Sequence, residues 1–246
     1  MTIAGRRVLI TGGGTGTGAD FARGFAEAGA EIVIAGRRRE PLEKVAAGNA
    51  AIRCVTADVT DEASVKAMFE EAGPVDIVIA NAGAADSSAL VKTSLDQWNA
   101  LIAVNLTGTF LTMREGLRQM PGWGRLIAVA SIAGLKGAGY ISAYSASKHG
   151  VVGMIRSVAH EVARQPVTAN AICPGYIETE MTERTIANIM QKTGRSREDA
   201  IAAVTATNPQ RRLIQPAEVT AAALYLCGPG SEGVNGQAIA ITGGES

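Results

Sequence analysis

The sequence has little of what marks several large classes of protein. Cysteine occurs only at Cys54, Cys173 and Cys227. These are odd in number, lie far apart and form no C-x-x-C pair, which excludes a disulfide framework and a zinc site of usual spacing and points to a reducing compartment. The two histidines, His149 and His160, fall on one predicted helix about three turns apart, too far to clamp one metal, so no metal site is expected. Net charge is also missing. Lysine plus arginine total 23 and aspartate plus glutamate total 23, so no overall field draws the chain to nucleic acid or to an anionic membrane. Aromatic residues make up 4% of the chain, and Trp98 and Trp123 are not interleaved with basic residues as on a base-stacking surface. There is no long apolar run: Val8–Ile10, behind the N-terminus, is too short for a signal-peptide core or a membrane span. A folded, cytoplasmic protein acting on a small molecule is expected.

Apolar residues amount to 47% against 19% charged, enough to offset the ordering entropy of a substantial core. No Pro/Ser-rich linker, shift in composition or repeat divides the chain, so one domain over residues 1–246 is expected. Short β-branched runs at Val8–Thr11, Glu31–Ala35, Ile52–Ala57, Val75–Ala80, Arg125–Ser131, Val167–Cys173 and Ala238–Thr242 alternate with helix-length segments. Runs such as Ile77-Val78-Ile79 lack in-out alternation, which predicts burial on both faces. The fold class is therefore α/β, a doubly wound parallel sheet flanked by helices. One excursion breaks the rhythm. Residues 181–212, past the C-terminal end of a strand, carry Arg184, Lys192, Arg195, Arg197, Arg211 and Arg212 against Glu183, Glu198 and Asp199, and are expected to form a basic helical lid.

Glycine supplies 29 residues, well above average usage, and the excess has a local cause. Thr11-Gly12-Gly13-Gly14-Thr15-Gly16-Thr17-Gly18 follows the first strand and opens a helix, the context of a loop that cradles a pyrophosphate on free N–H groups and a positive helix end. Gly12, Gly14, Thr15, Gly16, Thr17 and Gly18 are the candidate contacts to a dinucleotide. The second strand ends in Ala35-Gly36-Arg37-Arg38-Arg39, where NAD-binding units place a carboxylate for the ribose hydroxyls. Arg37 and Arg38 there suit the 2′-phosphate of NADP through charge-assisted, bidentate contacts. NADP is the preferred cofactor and NAD the alternative.

Tyr144-Ser145-Ala146-Ser147-Lys148 opens a long helix, and the spacing of four puts Tyr144 and Lys148 on one face, a turn apart. A cation about 4 Å from a phenol at an effective dielectric of ~20 contributes about 4 kcal/mol, roughly three pKa units, which would bring Tyr144 near working pH.

With the glycine loop, Asn81-Ala82-Gly83 after the fourth strand, Asn105 in Val-Asn-Leu-Thr-Gly, Ser131 ending the fifth and Pro174-Gly175 after the sixth, nearly the whole chain resembles the short-chain dehydrogenase/reductase family. The resemblance implies a Rossmann-type domain and a catalytic tetrad of Asn105, Ser131, Tyr144 and Lys148. Tyr144 would protonate a carbonyl oxygen, or act as base in reverse, and Ser131 would position that oxygen. Lys148 would lower the tyrosine pKa and hold the nicotinamide ribose, and Asn105 would anchor a water that relays protons to Lys148. It further implies that Asp58, with Val59, meets the adenine, that Asn81, Ala82 and Gly83 line the ribose region, and that Pro174, Gly175, Ile177 and Thr179 meet the carboxamide.

The apolar residues Val151, Val152, Met154, Ile155 and Val158 on the Tyr144 helix exceed one sheet-facing stripe, and with the resemblance imply a homotetramer. The runs Ser145–Gly153 and Cys173–Thr179 are similar to those of bacterial 3-oxoacyl-thioester reductases and polyketide ketoreductases. Reduction of a 3-oxoacyl-like or other small ketone is the expected activity. Oxidation of a secondary alcohol or 3-hydroxyacid with NAD is the alternative, and a non-catalytic NADP-binding sensor is the reading from a different class.

Overall fold

Seven strands pair in parallel throughout the computed structural model, which describes residues 3–245. They are β1 (Arg7–Thr11), β2 (Glu31–Gly36), β3 (Ile52–Thr56), β4 (Ile77–Ala80), β5 (Gly124–Val129), β6 (Val167–Pro174) and β7 (Ala238–Ile241), in the spatial order β3-β2-β1-β4-β5-β6-β7. The helices are α1 (Gly16–Glu27), α2 (Arg39–Ala46), α3 (Glu62–Ala72), α4 (Leu95–Ile102), α5 (Gly108–Gln119), α6 (Ser142–Val162), α7 (Glu180–Thr193), α8 (Arg197–Val204) and α9 (Pro216–Cys227). A π-helical turn, Ala103–Thr107, joins α4 to α5, and a short 3-10 turn, Ile132–Gly134, follows β5.

The alternation of side chains along each strand divides the core in two. Leu9, Val33, Val78 and Leu126 face α3, α5 and α6, where Met68, Phe69, Leu111, Val151 and Ile155 cover them. Val8, Ile10, Ile32, Ile34, Ile77 and Ile79 face α1, α2 and α9, under Phe21, Phe25, Leu42 and Val219. Both faces being covered explains why the central strands are uninterruptedly apolar, as the sequence predicts. The strands end up to two residues from the expected limits, and two consequences bear on the site. Ser131 lies two residues beyond β5, and Asp58 two beyond β3, so both sit in the loops above the sheet.

The strand order reverses between β1 and β4, which opens a crevice beyond their C-terminal ends. Side-chain caps fix where several helices begin: Asp61 accepts from Ala63 N–H at α3, Ser94 from Gln97 N–H at α4, and Ser196 from Asp199 N–H at α8. The start of α1, at the crevice, has no such cap, for Thr15 makes no side-chain bond to the first turn.

The predicted helical excursion is present as α7 and α8, starting one residue early at Glu180. It has a small core of its own in Ile186, Ala200 and Val204. Its two legs are joined by a parallel bridge between Ile177 and Ile214, with Glu178 N–H donating to Ile214 O at 2.9 Å and Ile214 N–H to Tyr176 O at 2.8 Å. Half of its basic side chains are ion-paired. Arg184 pairs with Glu180, Arg197 with Glu183 at 2.7 Å, and Arg212 with Glu218 at 2.6 Å, and two of these acids, Glu180 and Glu218, lie outside the 181–212 stretch. Among the described residues no helix is long and apolar enough to cross a membrane.

Candidate active site

The glycine loop is held shut by strand β4. Thr11 Oγ1 accepts from the N–H groups of Asn81 at 3.1 Å and Ala82 at 3.2 Å, while Asn81 Nδ2 donates to Thr11 O at 3.0 Å and Gly12 O at 3.2 Å. Gly12 is left-handed (φ 66°), and a Cβ there would press on Ala82 Cα at 2.9 Å. A Cβ on Gly18 would overlap Gly12 O and approach Asn81 Nδ2 to 2.6 Å, so the first turn of α1 lies directly on the loop. Gly14 lies beside Pro41 and Leu42 at α2, and Gly16 faces the methyl of Thr179. The N–H groups opening α1 at Gly16, Thr17 and Gly18 have no side-chain cap, as a helix end that receives an anion requires. Gly18→Ala should cost about 1–3 kcal/mol through overpacking against a backbone oxygen, read as a lowered urea midpoint with an unchanged slope.

Beyond β2, Arg37 and Arg38 are exposed and make no hydrogen bond or ion pair among the described residues, whereas Arg39 is spent on Glu43 at 2.8 Å and Cys54 O at 3.3 Å. The two residues singled out from the sequence are thus the guanidinium groups left uncommitted at this strand end. Asp58 stands nearby. Its carboxylate accepts from Thr60 N–H at 2.9 Å and Thr60 Oγ1 at 2.7 Å, bonds that hold it below the usual carboxylate range. Val59 is buried against Gly108.

Asn105, Ser131, Tyr144 and Lys148 converge over the ends of β4, β5 and β6. Asn105 is fully buried in the π-helical turn. Its Oδ1 accepts from Ala84 N–H at 2.9 Å, and its Nδ2 donates to Ala84 O at 2.9 Å and Ser147 Oγ at 3.1 Å. The amide therefore clamps the loop that follows Asn81-Ala82-Gly83 onto α6. Ser147 completes the clamp by donating to Tyr144 O at 2.7 Å. Ser131 Oγ accepts from Ala133 N–H at 3.1 Å and lies close enough to the Tyr144 phenol to hold its pKa down. Lys148, 4% exposed, donates through Nζ to Val129 O at 2.9 Å, and Nζ is 5.8 Å from the Tyr144 ring centre. Gly83 lies against both Asn105 Oδ1 and Lys148 Nζ. Pro174 ends β6, Gly175 N–H donates to Ile241 O at 3.0 Å, and Ile177 forms the bridge to Ile214.

The electrostatic balance differs from the expected one. Burial raises the Tyr144 phenol above its ordinary value, nearby Ser131 opposes this, and Tyr176 and Cys173 add to the rise. Burial also lowers Lys148 to about 8, partly offset by Cys173. Helical spacing alone leads to an ammonium about 4 Å from the phenol but takes no account of the desolvation of both groups, which dominates here. Cys173, fully buried in β6, has its thiol pushed up to about 11 by that burial. Neither it nor Ser147 stands out in the sequence: a helical serine and a strand cysteine gain importance only through partners distant in the chain.

The family model described as short chain dehydrogenase matches residues 6–189. The D-beta-hydroxybutyrate dehydrogenase of Rhizobium meliloti is 34% identical over 97% of this chain and 98% of its own. The 3-oxoacyl-acyl-carrier-protein reductase MabA of Mycobacterium bovis is 33% identical over 97% of this chain and 92% of its own. A crystal structure of a variant of actinorhodin polyketide ketoreductase with NADPH superposes with a TM-score of 0.90 at 33% identity, covering 98% of this chain and 97% of that one. The chain belongs to the short chain dehydrogenase family and is an oxidoreductase.

Proposed function

We propose that this protein, as one domain, reduces a small or 3-oxoacyl-like ketone to a secondary alcohol with NADPH. The observation that carries this reading is the half-buried Tyr144 ring, 5.8 Å from a Lys148 ammonium anchored on Val129 O and with Ser131 nearby, above the crevice that begins with the glycine loop. The uncapped start of α1, the side-chain-free surface at Gly12 and Gly18 and the uncommitted Arg37 and Arg38 suit a dinucleotide with a 2′-phosphate. A nicotinamide cofactor bound there supplies the hydride. The residues supply the rest. Gly12, Gly14, Thr15, Gly16, Thr17 and Gly18 would hold the pyrophosphate, Asp58 and Val59 the adenine, and Asn81, Ala82 and Gly83 the ribose region. Pro174, Gly175, Ile177 and Thr179 would hold the carboxamide. Ser131 would orient the ketone oxygen, and Tyr144 would give it a proton.

The Tyr144 phenol is protonated at neutral pH, the state that giving a proton requires, although burial makes it the weaker acid. Lys148 would hold the cofactor ribose and, with a water at Asn105, return the proton to Tyr144. The alternative, oxidation of a 3-hydroxyacid, draws support from the hydroxybutyrate dehydrogenase relative. The reading includes a homotetramer, favoured by Trp98 and Phe110 left exposed on α4 and α5. The apolar surplus of α6 supports it less, since Val151, Val152 and Ile155 are buried within the chain and Met154 and Val158 partly so.

Loss of NADPH absorbance on adding a panel of ketones tests the activity; binding of NADPH without turnover of any ketone or alcohol would restore the sensor reading. For the cofactor, Arg37→Ala with Arg38→Ala should weaken NADPH binding at least tenfold, each charged hydrogen bond lost being worth about 1.5–3 kcal/mol, and leave NADH binding within twofold. Equal losses for both cofactors would remove the 2′-phosphate contact.

A further inference from the structure

The last turn of the chain is built into the site. Residues Thr242–Glu245 form a turn with Gly243 (φ 64°) and Gly244 (φ 95°) both left-handed, closed by Thr242 Oγ1 donating to Glu245 O at 2.8 Å. A Cβ on Gly243 would overlap the Asn208 amide, and one on Gly244 would sit 3.3 Å from Pro209. Asn208 in turn holds the returning leg of the helical insertion, donating to Arg212 O at 2.8 Å and accepting from Gln210 N–H at 2.8 Å.

From this turn the Glu245 side chain, 9% exposed, points inward. Its Oε1 lies 3.0 Å from Lys136 Nζ. Its Oε2 is 4.0 Å from where a Cβ of Gly175 would stand. Lys136 is on the segment linking Ser131 to Tyr144, where its N–H donates to Ile132 O at 3.0 Å. Tyr176, next to Gly175, accepts the backbone bond that closes the insertion and feels the Glu245 charge, which adds to the effect of burial in raising its phenol. One carboxylate thus pairs with the segment after Ser131 and lies beside the loop after β6, while its own turn packs on Asn208 and Pro209 at the base of the insertion.

We propose that Glu245 is a positioning residue for ketone reduction, acting through Lys136 on the Ser131 segment and through Gly175-Tyr176 on the insertion. The proposal rests on the reductase reading. A bond at either end alone would leave the two walls of the crevice independent; the shared carboxylate makes the placement of one depend on the other. The Glu245 carboxylate, 9% exposed, is the more enclosed partner, so loss of its ion pair is felt at the carboxylate and at the turn that carries it.

The test is a double-mutant cycle with Glu245→Gln and Lys136→Met, read as kcat, KM and NADPH binding, together with amide hydrogen exchange. Each single variant should lower kcat roughly tenfold to a hundredfold, the scale of a small misplacement of reacting groups, with the NADPH dissociation constant within twofold. The double variant should be no slower than the worse single one. Exchange should accelerate in peptides spanning 132–141, 174–180 and 208–214 and stay unchanged in 11–19. Additive losses, an unchanged kcat, or equal loosening of the glycine loop would overturn the proposal. If the wild-type protein reduces no ketone, the reductase reading fails on its own, and the exchange pattern still decides whether Glu245 couples the two walls.

Discussion

Tyr144→Phe should lower kcat for ketone reduction by about a hundredfold to ten-thousandfold, the range assigned to a positioned general acid, or about 3–5 kcal/mol of barrier. The substitution removes one oxygen from a half-buried ring and leaves the helix, the Lys148 bond to Val129 O and the glycine loop in place. NADPH binding, followed by fluorescence, should therefore change by less than threefold, and the thermal midpoint by a few degrees at most. Ser131 keeps its bond from Ala133 N–H, which limits the structural cost. A rate within tenfold of wild type would show that the proton comes from elsewhere, and Ser131 would be the next group to examine.

Lys148→Met should abolish most turnover and yet stabilise the fold at neutral pH. The ammonium is nearly inaccessible, and burial brings its pKa from 10.5 down to about 8. A lowered lysine pKa means that the unfolded chain binds the proton more tightly than the folded one. Stability therefore rises with pH between about 8 and 10.5, and below about 8 the full penalty applies. Its size is on the order of 3 kcal/mol, against which the variant leaves Val129 O without its donor at about 1 kcal/mol. Methionine carries no such penalty and fills a similar volume. Urea titrations should find the variant more stable by about 2 kcal/mol at pH 7, with the difference shrinking toward pH 10.5 as wild type gains. A variant less stable than wild type at pH 7 would refute the idea that this charge is kept at the expense of folding.

Much of the fold and of the site is legible in the amino-acid sequence, and the reasons are local. Runs such as Val8-Leu9-Ile10 and Ile77-Val78-Ile79 have one stable use in a chain this rich in alternating helices, the middle of a covered parallel sheet. The glycine loop is visible because turn, close approach and helix start follow one another within a single short stretch. Tyr144 and Lys148 are visible because helical spacing alone puts them on one face. The clamp of Asn105 on Ala84 and Ser147 is not readable in this way, since it joins residues 21 and 42 positions apart. Nor is the balance of charge in the insertion, where Glu180 and Glu218 lie just outside the stretch that looks basic. The expectation of an acidified Tyr144 fails for a related reason: spacing gives separation, but desolvation depends on everything that packs around the pair.

The π-helical turn at Ala103–Thr107 has an effect on what sequences this fold can accept. A wider coil holds one residue more than ordinary winding, so α4 and α5 cannot be tuned toward a straight rod without swinging Asn105 out of reach of Ala84. A drift that improved helix regularity here would gain a sounder element and lose the prop under the loop beside the crevice, which makes the irregularity itself something selection has to protect.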